Sequence, residues 1–342
     1  ANNVSRSITR NVKESFLYSP STSRSIDNDT ILYIVNTSPY GFAIVKADES
    51  IEQPIFAYSL TSEISSDYNP AFEWYMNQAI EKMRNLSFTP SSRAKQPNTG
   101  SEDLYTEYYM GILCYRKVTS TNKSQTGPLL HTAWSQNPDP YNRYCYTPQN
   151  QRSYSGCVAT AIGQIFAYHS FPDKLNDHYY NWNDMLTYEN AGYLSENGKN
   201  CVGHLLKDIG KYVNMVYTTT SAYPDKGTSI PNALRSMGYN CGELCSFSDA
   251  MISQSLHSTN PKPIYMRGTD KNEKLTGHAW VLDGDNVEHH TFDYIGVDDG
   301  IKYGSGQSTL GWYHFNWGWN GYQNGFFEVN LSSVGVDNDT YI

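Results

Sequence analysis

Short apolar runs in the first sixty residues predict a small antiparallel sheet. The runs are rich in β-branched and aromatic residues and are separated by Asn, Ser, Pro and Gly; they cover residues 31–35, 42–45 and 55–58. Five apolar residues then recur at helical spacing within residues 71–85, after an Asn-Pro pair that signals a helix start. The front of the chain is therefore predicted to be a meander of strands followed by one helix.

The segment after this helix is polar. From residue 86 to about residue 106 it consists mainly of Ser, Pro, Arg, Lys, Gln, Asn and Gly. A segment with so few apolar residues cannot pack a core. We predict an exposed linker over residues 86–106, in which Arg93 and Lys95 are accessible to proteases.

The rest of the chain changes from helical to strand patterns. Apolar spacing predicts helices over residues 157–169, 202–213 and 230–237. Later runs predict strands, which cover residues 263–267, 278–282, 291–297, 311–317 and 325–329. Helices followed by antiparallel strands predict an α+β domain with a helical lobe and a sheet lobe.

Length and charge narrow the class of protein. A chain of 342 residues favours two domains. Its 34 acidic and 25 basic residues give a net charge of −9, which argues against nucleic acid and anionic membrane surfaces as partners. No apolar run is long enough to predict a membrane span. The low charged fraction and the 29 tyrosines favour an exported protein, whose signal peptide would be absent from this chain.

The cysteine and histidine patterns do not predict a metal site. Six cysteines are too few for a disulfide scaffold in a chain of this length. Cys241 and Cys245 form a C-x3-C pair, but no second pair or neighbouring histidine completes a zinc site. His289 and His290 lie in a predicted polar loop without the spacing of metal ligands. We expect neither a metal nor an organic cofactor.

A cysteine at a predicted helix start and a histidine at a predicted strand start form a candidate catalytic pair. Cys157 opens the helix over residues 157–169, where free backbone N–H groups lower the pKa of a thiol. His278 opens the strand over residues 278–282, from which an imidazole can face a thiol across a cleft. Taken alone, each residue is more often structural, so the hypothesis depends on the two being close in space.

Two further groups of residues could support this pair. The side chain of Gln136 is a candidate donor to a developing oxyanion, together with the backbone N–H of Cys157. Downstream of the histidine, an asparagine can orient the imidazole and an indole can shield it from water, which makes Asn316, Trp317 and Trp319 candidates. The alternative for the tryptophans is an ordinary aromatic core.

Three motifs taken together resemble those of the streptopain family of papain-like cysteine peptidases. They are GCVATA at residues 156–161, GHAWVLDG at 277–284 and HFNWGW at 314–319. Their order along the chain and their helix and strand contexts match the family. Residues 41–45 and 54–59 are also similar to the inhibitory propeptide of that family, so the resemblance covers most of the chain.

The resemblance implies a papain-like two-lobed catalytic domain preceded by a small α+β propeptide domain. It implies that Cys157 is the nucleophile, that His278 is the general acid and base, and that Gln136 donates to the oxyanion. Trp317 is implied to lie beside His278. Supporting roles near the imidazole are implied for Asn316 and Trp319.

The same resemblance implies a secreted bacterial zymogen that acts on proteins and peptides. The propeptide domain is expected over residues 1–110, including the linker, and the peptidase domain over residues 111–342. The cut that removes the propeptide is expected between Arg93 and Lys123. The propeptide would act as an intramolecular inhibitor, either by filling the substrate groove or by displacing the segment that carries His278. The family implies broad specificity, with a hydrophobic side chain two residues before the cut.

Two other functions remain open at this point. A transglutaminase or amidase on the same scaffold would use the same pair on a different acyl donor, and an acyl-acceptor assay separates it from a peptidase. A secreted binding or adhesion protein would use the abundant Tyr and Trp residues for surface recognition. That protein would not depend on Cys157.

Overall fold

The computed structural model describes residues 11–17, 31–47, 54–65, 67–87, 94–95, 105–269 and 277–328. In the front part, four strands precede one long helix: β1 (Asn11–Leu17), β2 (Leu32–Ser38), β3 (Phe42–Lys46), β4 (Ile55–Ser59) and α1 (Pro70–Ser87). The four strands pair in sequence order as an antiparallel meander. The predicted strands and helix of this part are confirmed.

The segment after α1 contains more regular structure than its polar composition predicts. It includes β5 (Ala94–Lys95), β6 (Tyr105–Tyr109) and the long strand β7 (Ile112–Thr126). β5 and the start of β6 fall inside the predicted linker over residues 86–106, and they pair with each other. Arg93 lies outside the described residues. The linker prediction missed these strands because they are supported by backbone pairing with each other and with β7, and not by apolar periodicity in their own side chains.

The helical lobe follows. Its helices are α2 (Cys157–His169), α3 (Trp182–Met185), α4 (Glu196–Tyr212) and α5 (Ile230–Ser236), with a short 3-10 turn at Ala191–Tyr193. Two small hairpins accompany them: β8 (Lys174–Leu175) with β9 (His178–Tyr179), and β10 (Met215–Tyr217) with β11 (Ala222–Pro224). α4 begins six residues before the predicted start, because Ser195 caps the helix by accepting a hydrogen bond from the N–H of Gly198.

The sheet lobe completes the chain. It contains α6 (Asp249–Leu256), β12 (Ile264–Thr269), β13 (Gly277–Gly296), β14 (Lys302–Asn316) and β15 (Gly325–Phe327). The strands predicted over residues 278–282 and 291–297 are two ends of the single strand β13. His289 and His290 lie within β13 and pair with β14, so the prediction of a polar loop there is wrong. Thr and Val residues between polar side chains allow the ladder to continue through this polar stretch.

One antiparallel sheet joins the front part to the sheet lobe. Its described strands follow the order β1-β2-β3-β4-β15-β14-β13-β7-β6-β5, and β12 pairs with the first part of β13. β4 meets β15 through the pairs Tyr58 with Phe326 and Ala57 with Phe327. The architecture is α+β, as predicted. In the part of the chain that the structure describes, no helix has the length and apolarity of a membrane span.

Two apolar cores lie on opposite sides of β12 and β13. Tyr265, Ala279 and Val281 face the core of the helical lobe, which is built around α2 and α4. The alternate positions, such as Met266 and Trp280, face the second core, which is shared by the sheet lobe, α1 and β2 to β4. Successive strand residues point to opposite faces, so this one pair of strands carries both cores.

Candidate active site

The start of α2 is open at its N-terminus. The residue before the helix is Gly156, whose φ of 92° suits glycine, and no side chain caps the first turn. A β-carbon at this position would lie 3.0 Å from the carbonyl oxygen of Ala222. Gly156 therefore allows close packing and leaves the first N–H groups of α2 free for other acceptors.

The Cys157 thiol lies at this helix start, against the wall formed by β13. The backbone N–H groups of Ala279, Val158 and Cys157 itself act on its sulfur and favour the thiolate. Burial raises the pKa of the Cys157 thiol, although these N–H groups and the charge of Arg267 act in the opposite direction. The sequence predicts a lowered pKa for the Cys157 thiol, whereas burial raises that pKa in this form of the protein.

Gln136 lies beside the start of α2 and presents an unused donor. Its backbone oxygen accepts from the N–H of Ser155 at 3.0 Å and from the Ser155 hydroxyl at 3.2 Å. Its side chain is buried, and the Nε2 atom has no hydrogen-bond partner among the described residues. A buried amide without a partner is costly, so it is suited to a ligand oxygen that arrives from outside.

His278 is half-buried near the start of β13, directly before the residue whose N–H reaches Cys157. It pairs across the sheet with Gly268 of β12. The indole of Trp74, from α1, lies edge-on to the imidazole with ring centroids 6.1 Å apart. A β-carbon at Gly268 would lie only 2.1 Å from that indole, so Trp74 rests directly on the backbone of β12.

Asn316 holds the two lobes together. Its Oδ1 accepts from Gln164 Nε2 at 3.1 Å and from the N–H of Gly318 at 3.1 Å. Its Nδ2 donates to the carbonyl oxygen of Thr132 at 2.8 Å. Gln164 of α2 also accepts from the backbone N–H of Trp134, two residues before Gln136. The described contacts of Asn316 thus join α2, the end of β14 and the segment that carries Gln136; its predicted role toward His278 stays a prediction.

The two candidate tryptophans occupy different surroundings. Trp317 is fully buried, and its indole N–H donates to the carbonyl oxygen of Gln323 at 2.9 Å. Its ring packs on Trp280, at a centroid distance of 5.4 Å, within the second core. Trp319 contacts the Tyr154 ring at 6.3 Å, and its indole N–H has no partner among the described residues.

Sequence reasoning missed three residues near this site. Gln164 carries the network around Asn316, Trp74 reaches His278 from the front part, and Arg267 acts electrostatically on Cys157. The strand alternation of 263–267 is the one signal in the sequence that places Arg267 on the same face as Tyr265. Nothing local to Gln164 or Trp74 indicates that they contact Asn316 and His278, which lie more than 150 residues away.

The remaining metal candidates are dispersed. Cys241 and Cys245 are both partly exposed free thiols, and all six cysteines are unpaired. His289 contacts the Thr309 hydroxyl, and His290 contacts the Glu288 carboxylate. Within the described ranges, no group of three His, Cys, Asp or Glu side chains is arranged to hold a metal ion.

Comparisons with known proteins agree with this arrangement. The model of the peptidase C10 family matches residues 134–327, which is more than half of the chain. Streptopain from Streptococcus pyogenes is 26% identical over 349 residues, which cover 89% of this chain and 76% of streptopain. The thiol protease/hemagglutinin PrtT of Porphyromonas gingivalis is also 26% identical, over 64% of this chain but only 25% of PrtT.

A solved structure shares the fold. A fragment of prointerpain A from Prevotella intermedia superposes with a TM-score of 0.62 at 20% sequence identity, covering 93% of this chain and 97% of the fragment. The match extends through the front part as well as the two lobes. The expected papain-like fold with its preceding α+β domain is confirmed.

Proposed function

This chain belongs to the peptidase C10 family and is a cysteine-type peptidase. From that premise we propose that it is a secreted endopeptidase in proenzyme form and that it uses Cys157 and His278 in catalysis. The observation that carries the proposal is the Cys157 thiol at the open start of α2, beside an unpartnered Gln136 amide and next to the strand that carries His278. These three groups supply a nucleophile, an oxyanion donor and a base.

In the proposed reaction, which follows activation and movement of the His278 segment toward α2, His278 takes the thiol proton and the Cys157 sulfur attacks the peptide carbonyl carbon. The oxygen of the tetrahedral intermediate accepts from Gln136 Nε2 and from the backbone N–H of Cys157. The intermediate collapses as His278 gives its proton to the leaving amine, and a thioester remains. Water, deprotonated by His278, then hydrolyses the thioester and regenerates the thiol.

We further propose that the front part, residues 1–110, inhibits the uncut enzyme through α1. Trp74 lies against His278 and on Gly268, which supports a hold on the segment that carries the base. The raised pKa of the Cys157 thiol fits a site that is not yet active, because a neutral thiol is a poor nucleophile. Of the two modes of latency left open by the sequence, these contacts favour the second, in which the segment that carries His278 is displaced. Alternation along β13 places His278 on the side of Trp280 and Trp74, opposite to Ala279, which faces the lobe of Cys157.

The arrangement of β7 narrows the expected site of maturation. Residues 114–126 pair with β13 over most of their length, and the start of β7 also pairs with β6. A protease cuts a segment that can separate from its neighbouring strands and bind in extended form. β7 is hydrogen-bonded to β13 along most of its length and is therefore a poor site for cleavage. We therefore propose that the cut lies before Ile112, within the earlier part of the interval from Arg93 to Lys123, and that β7 remains with the mature enzyme.

The test is self-processing of the purified full chain under reducing conditions, beside Cys157→Ala. We expect the wild type alone to lose about its first hundred residues, as measured by intact mass, and then to hydrolyse a fluorogenic peptide. Cys114→Ala is the matched control, because Cys114 is a buried thiol remote from α2. If neither wild type nor Cys157→Ala gains activity, even after a trace of trypsin removes the front part, the proposal is wrong.

A further inference from the structure

A buried glutamine on α2 connects the helix of Cys157 to the segment that carries Gln136. Gln164 is fully buried and lies seven residues after Cys157. It is therefore on the same face of the helix, about 10 Å further along the axis. Its Oε1 accepts from the backbone N–H of Trp134 at 3.0 Å and from the Thr132 hydroxyl at 3.1 Å. One side chain of the nucleophile helix thus holds the chain two residues before Gln136.

The same glutamine belongs to a closed ring of hydrogen bonds with two other buried residues. Gln164 Nε2 donates to Asn316 Oδ1 at 3.1 Å, and Asn316 Nδ2 donates to the carbonyl oxygen of Thr132 at 2.8 Å. The Thr132 hydroxyl closes the ring at Gln164 Oε1. Turning over the Gln164 or the Asn316 amide would oppose two acceptors or two donors, so the ring fixes one orientation of Gln164.

The segment that leads to Gln136 is held at two levels along α2. Near the helix start, the N–H of Ser155 donates to the backbone oxygen of Gln136 at 3.0 Å. Two turns further along, Gln164 accepts from the N–H of Trp134. Contacts at one level leave a segment able to tilt, whereas contacts at two levels fix its direction. The Nε2 atom of Gln136 has no partner among the described residues, so the direction of this side chain depends on the backbone that carries it.

We propose that Gln164 is a positioning residue for the oxyanion site. It aligns the Gln136 side chain with the backbone N–H of Cys157, so that both donors meet the same substrate oxygen. The inference rests on the proposed peptidase function, in which these two groups stabilise the tetrahedral intermediate. Gln164 is two helical turns from the sulfur and acts through Gln136. A displacement of about 1 Å in such a site can cost about 10²-fold in rate, so the effect of positioning is measurable.

The test is a double-mutant cycle of Gln164→Met with Gln136→Ala. The wild type, the two single variants and the double variant are made as full chains and processed by a trace of trypsin, which is then inhibited, so that maturation does not depend on their own activity. Met is similar to Gln in length but lacks the N–H donors and the carbonyl oxygen of the amide. We expect Gln164→Met to lower kcat by about tenfold to a hundredfold, with KM changed by about twofold or less. In the Gln136→Ala background it should change kcat by only about twofold, because the group that it positions is gone.

Thr132→Val is a second, milder variant, which decides the question if Gln164→Met does not fold. It removes one hydrogen bond to Gln164 Oε1 and retains the size of the side chain. Its fall in kcat should be smaller and should also disappear in the Gln136→Ala background. Ile162→Val is the matched control, because it removes one methylene group from a buried position of the same helix. It should lower the thermal stability without changing kcat.

An equal loss of kcat from Gln164→Met in the wild-type and Gln136→Ala backgrounds would overturn the inference, because Gln164 would then act on the fold or on another group. An unchanged kcat in either single variant would overturn it as well, while leaving cleavage dependent on Cys157. Cleavage that persists in Cys157→Ala would instead overturn the proposed function, so the two failures are distinguishable.

Discussion

At the scale of single residues, the Gln136 amide is a buried donor whose hydrogen-bonding capacity is unused among the described residues. Gln136 Nε2 is buried without a partner among the described residues, while the backbone of the same residue is tied to Ser155. The backbone hydrogen bonds position residue 136, and its side-chain N–H is available to donate to a substrate oxygen. This combination is typical of preorganised sites, in which the donor pays no reorganisation cost during reaction.

Replacing Gln136 by Ala should slow the chemical step. We expect kcat to fall by about 10²–10³ with little change in KM, because the donor acts mainly on the oxyanion of the transition state. Steady-state kinetics of the self-processed enzyme measure both constants. Gln151→Ala, at an exposed glutamine, should leave them unchanged. A rise in KM of the same size, with kcat unchanged, would show instead that Gln136 stabilises the bound substrate as much as the transition state.

At the scale of elements, a buried carboxylate on α4 fixes the hairpin of β8 and β9 to the helical lobe. Asp208 is fully buried and accepts from Asn176 at 3.0 Å, from His178 at 2.5 Å, from Tyr180 at 2.8 Å and from Lys211 at 2.8 Å. Burial alone would raise the pKa of Asp208, but these hydrogen bonds outweigh it and hold the pKa below its usual value.

The lowered pKa of Asp208 predicts a stability contribution that depends on pH. A carboxylate with a lowered folded-state pKa stabilises the protein above its unfolded pKa of about 4, and this contribution is lost as the pH falls through the folded value. Asp208→Asn should therefore cost about 2 kcal/mol at pH 7, since His178 and Lys211 are partly solvated.

Urea unfolding of the Cys157→Ala chain with and without Asp208→Asn measures this difference, since self-processing is then absent. The gap between the two unfolding midpoints should shrink as the pH is lowered below about 4. Asp177→Asn, at an exposed aspartate in the same hairpin, is the matched control and should have a small effect at every pH. A gap that stays constant down to acid pH would contradict the assignment of the stability to the ionised carboxylate.

At the scale of the whole molecule, the front part is docked by several different kinds of contact. Strand β4 extends the sheet at β15, and Lys46 forms a buried ion pair with Glu328 at 2.5 Å. Directly before α1, the backbone N–H of Asn69 donates to the Gln323 side chain. The backbone carbonyl oxygen of Gln323 in turn accepts from the indole N–H of Trp317. The front part thus contacts both the sheet edge and the loop behind the candidate tryptophans.

Removal of the Trp74 indole should weaken latency without changing the mature enzyme. Trp74 is half-buried at this interface. An interface tryptophan of this kind is typically worth about 2 kcal/mol, which corresponds to roughly a thirtyfold shift in the docking equilibrium. Trp74→Ala should therefore shorten the lag of self-processing, followed by intact mass, whereas kcat/KM of the processed enzyme should equal that of the wild type. Leu60→Ala, at an exposed position of the front part, is the control. An unchanged lag in Trp74→Ala would exclude this contact as the brake.

Much of the molecule follows from local pattern. The runs over 31–35, 42–45 and 55–58 become β2 to β4, and the helix of Cys157 has the predicted bounds, because apolar periodicity and start signals act within a few residues. The polar strands β5 to β7 and the middle of β13 were missed, because their ladder partners rather than their own side chains stabilise them.

The sequence alone determined the α+β class, the order of helices and strands, and the residue types of the site, because each of these depends on short-range pattern. Only the tertiary structure decided which groups meet. It brought Trp74 to His278 across about two hundred residues and tied Asn316 to Gln164. It also reversed the direction of the thiol pKa shift, because burial depends on every element packed around Cys157, whereas the helix start that lowers the pKa is visible in the sequence.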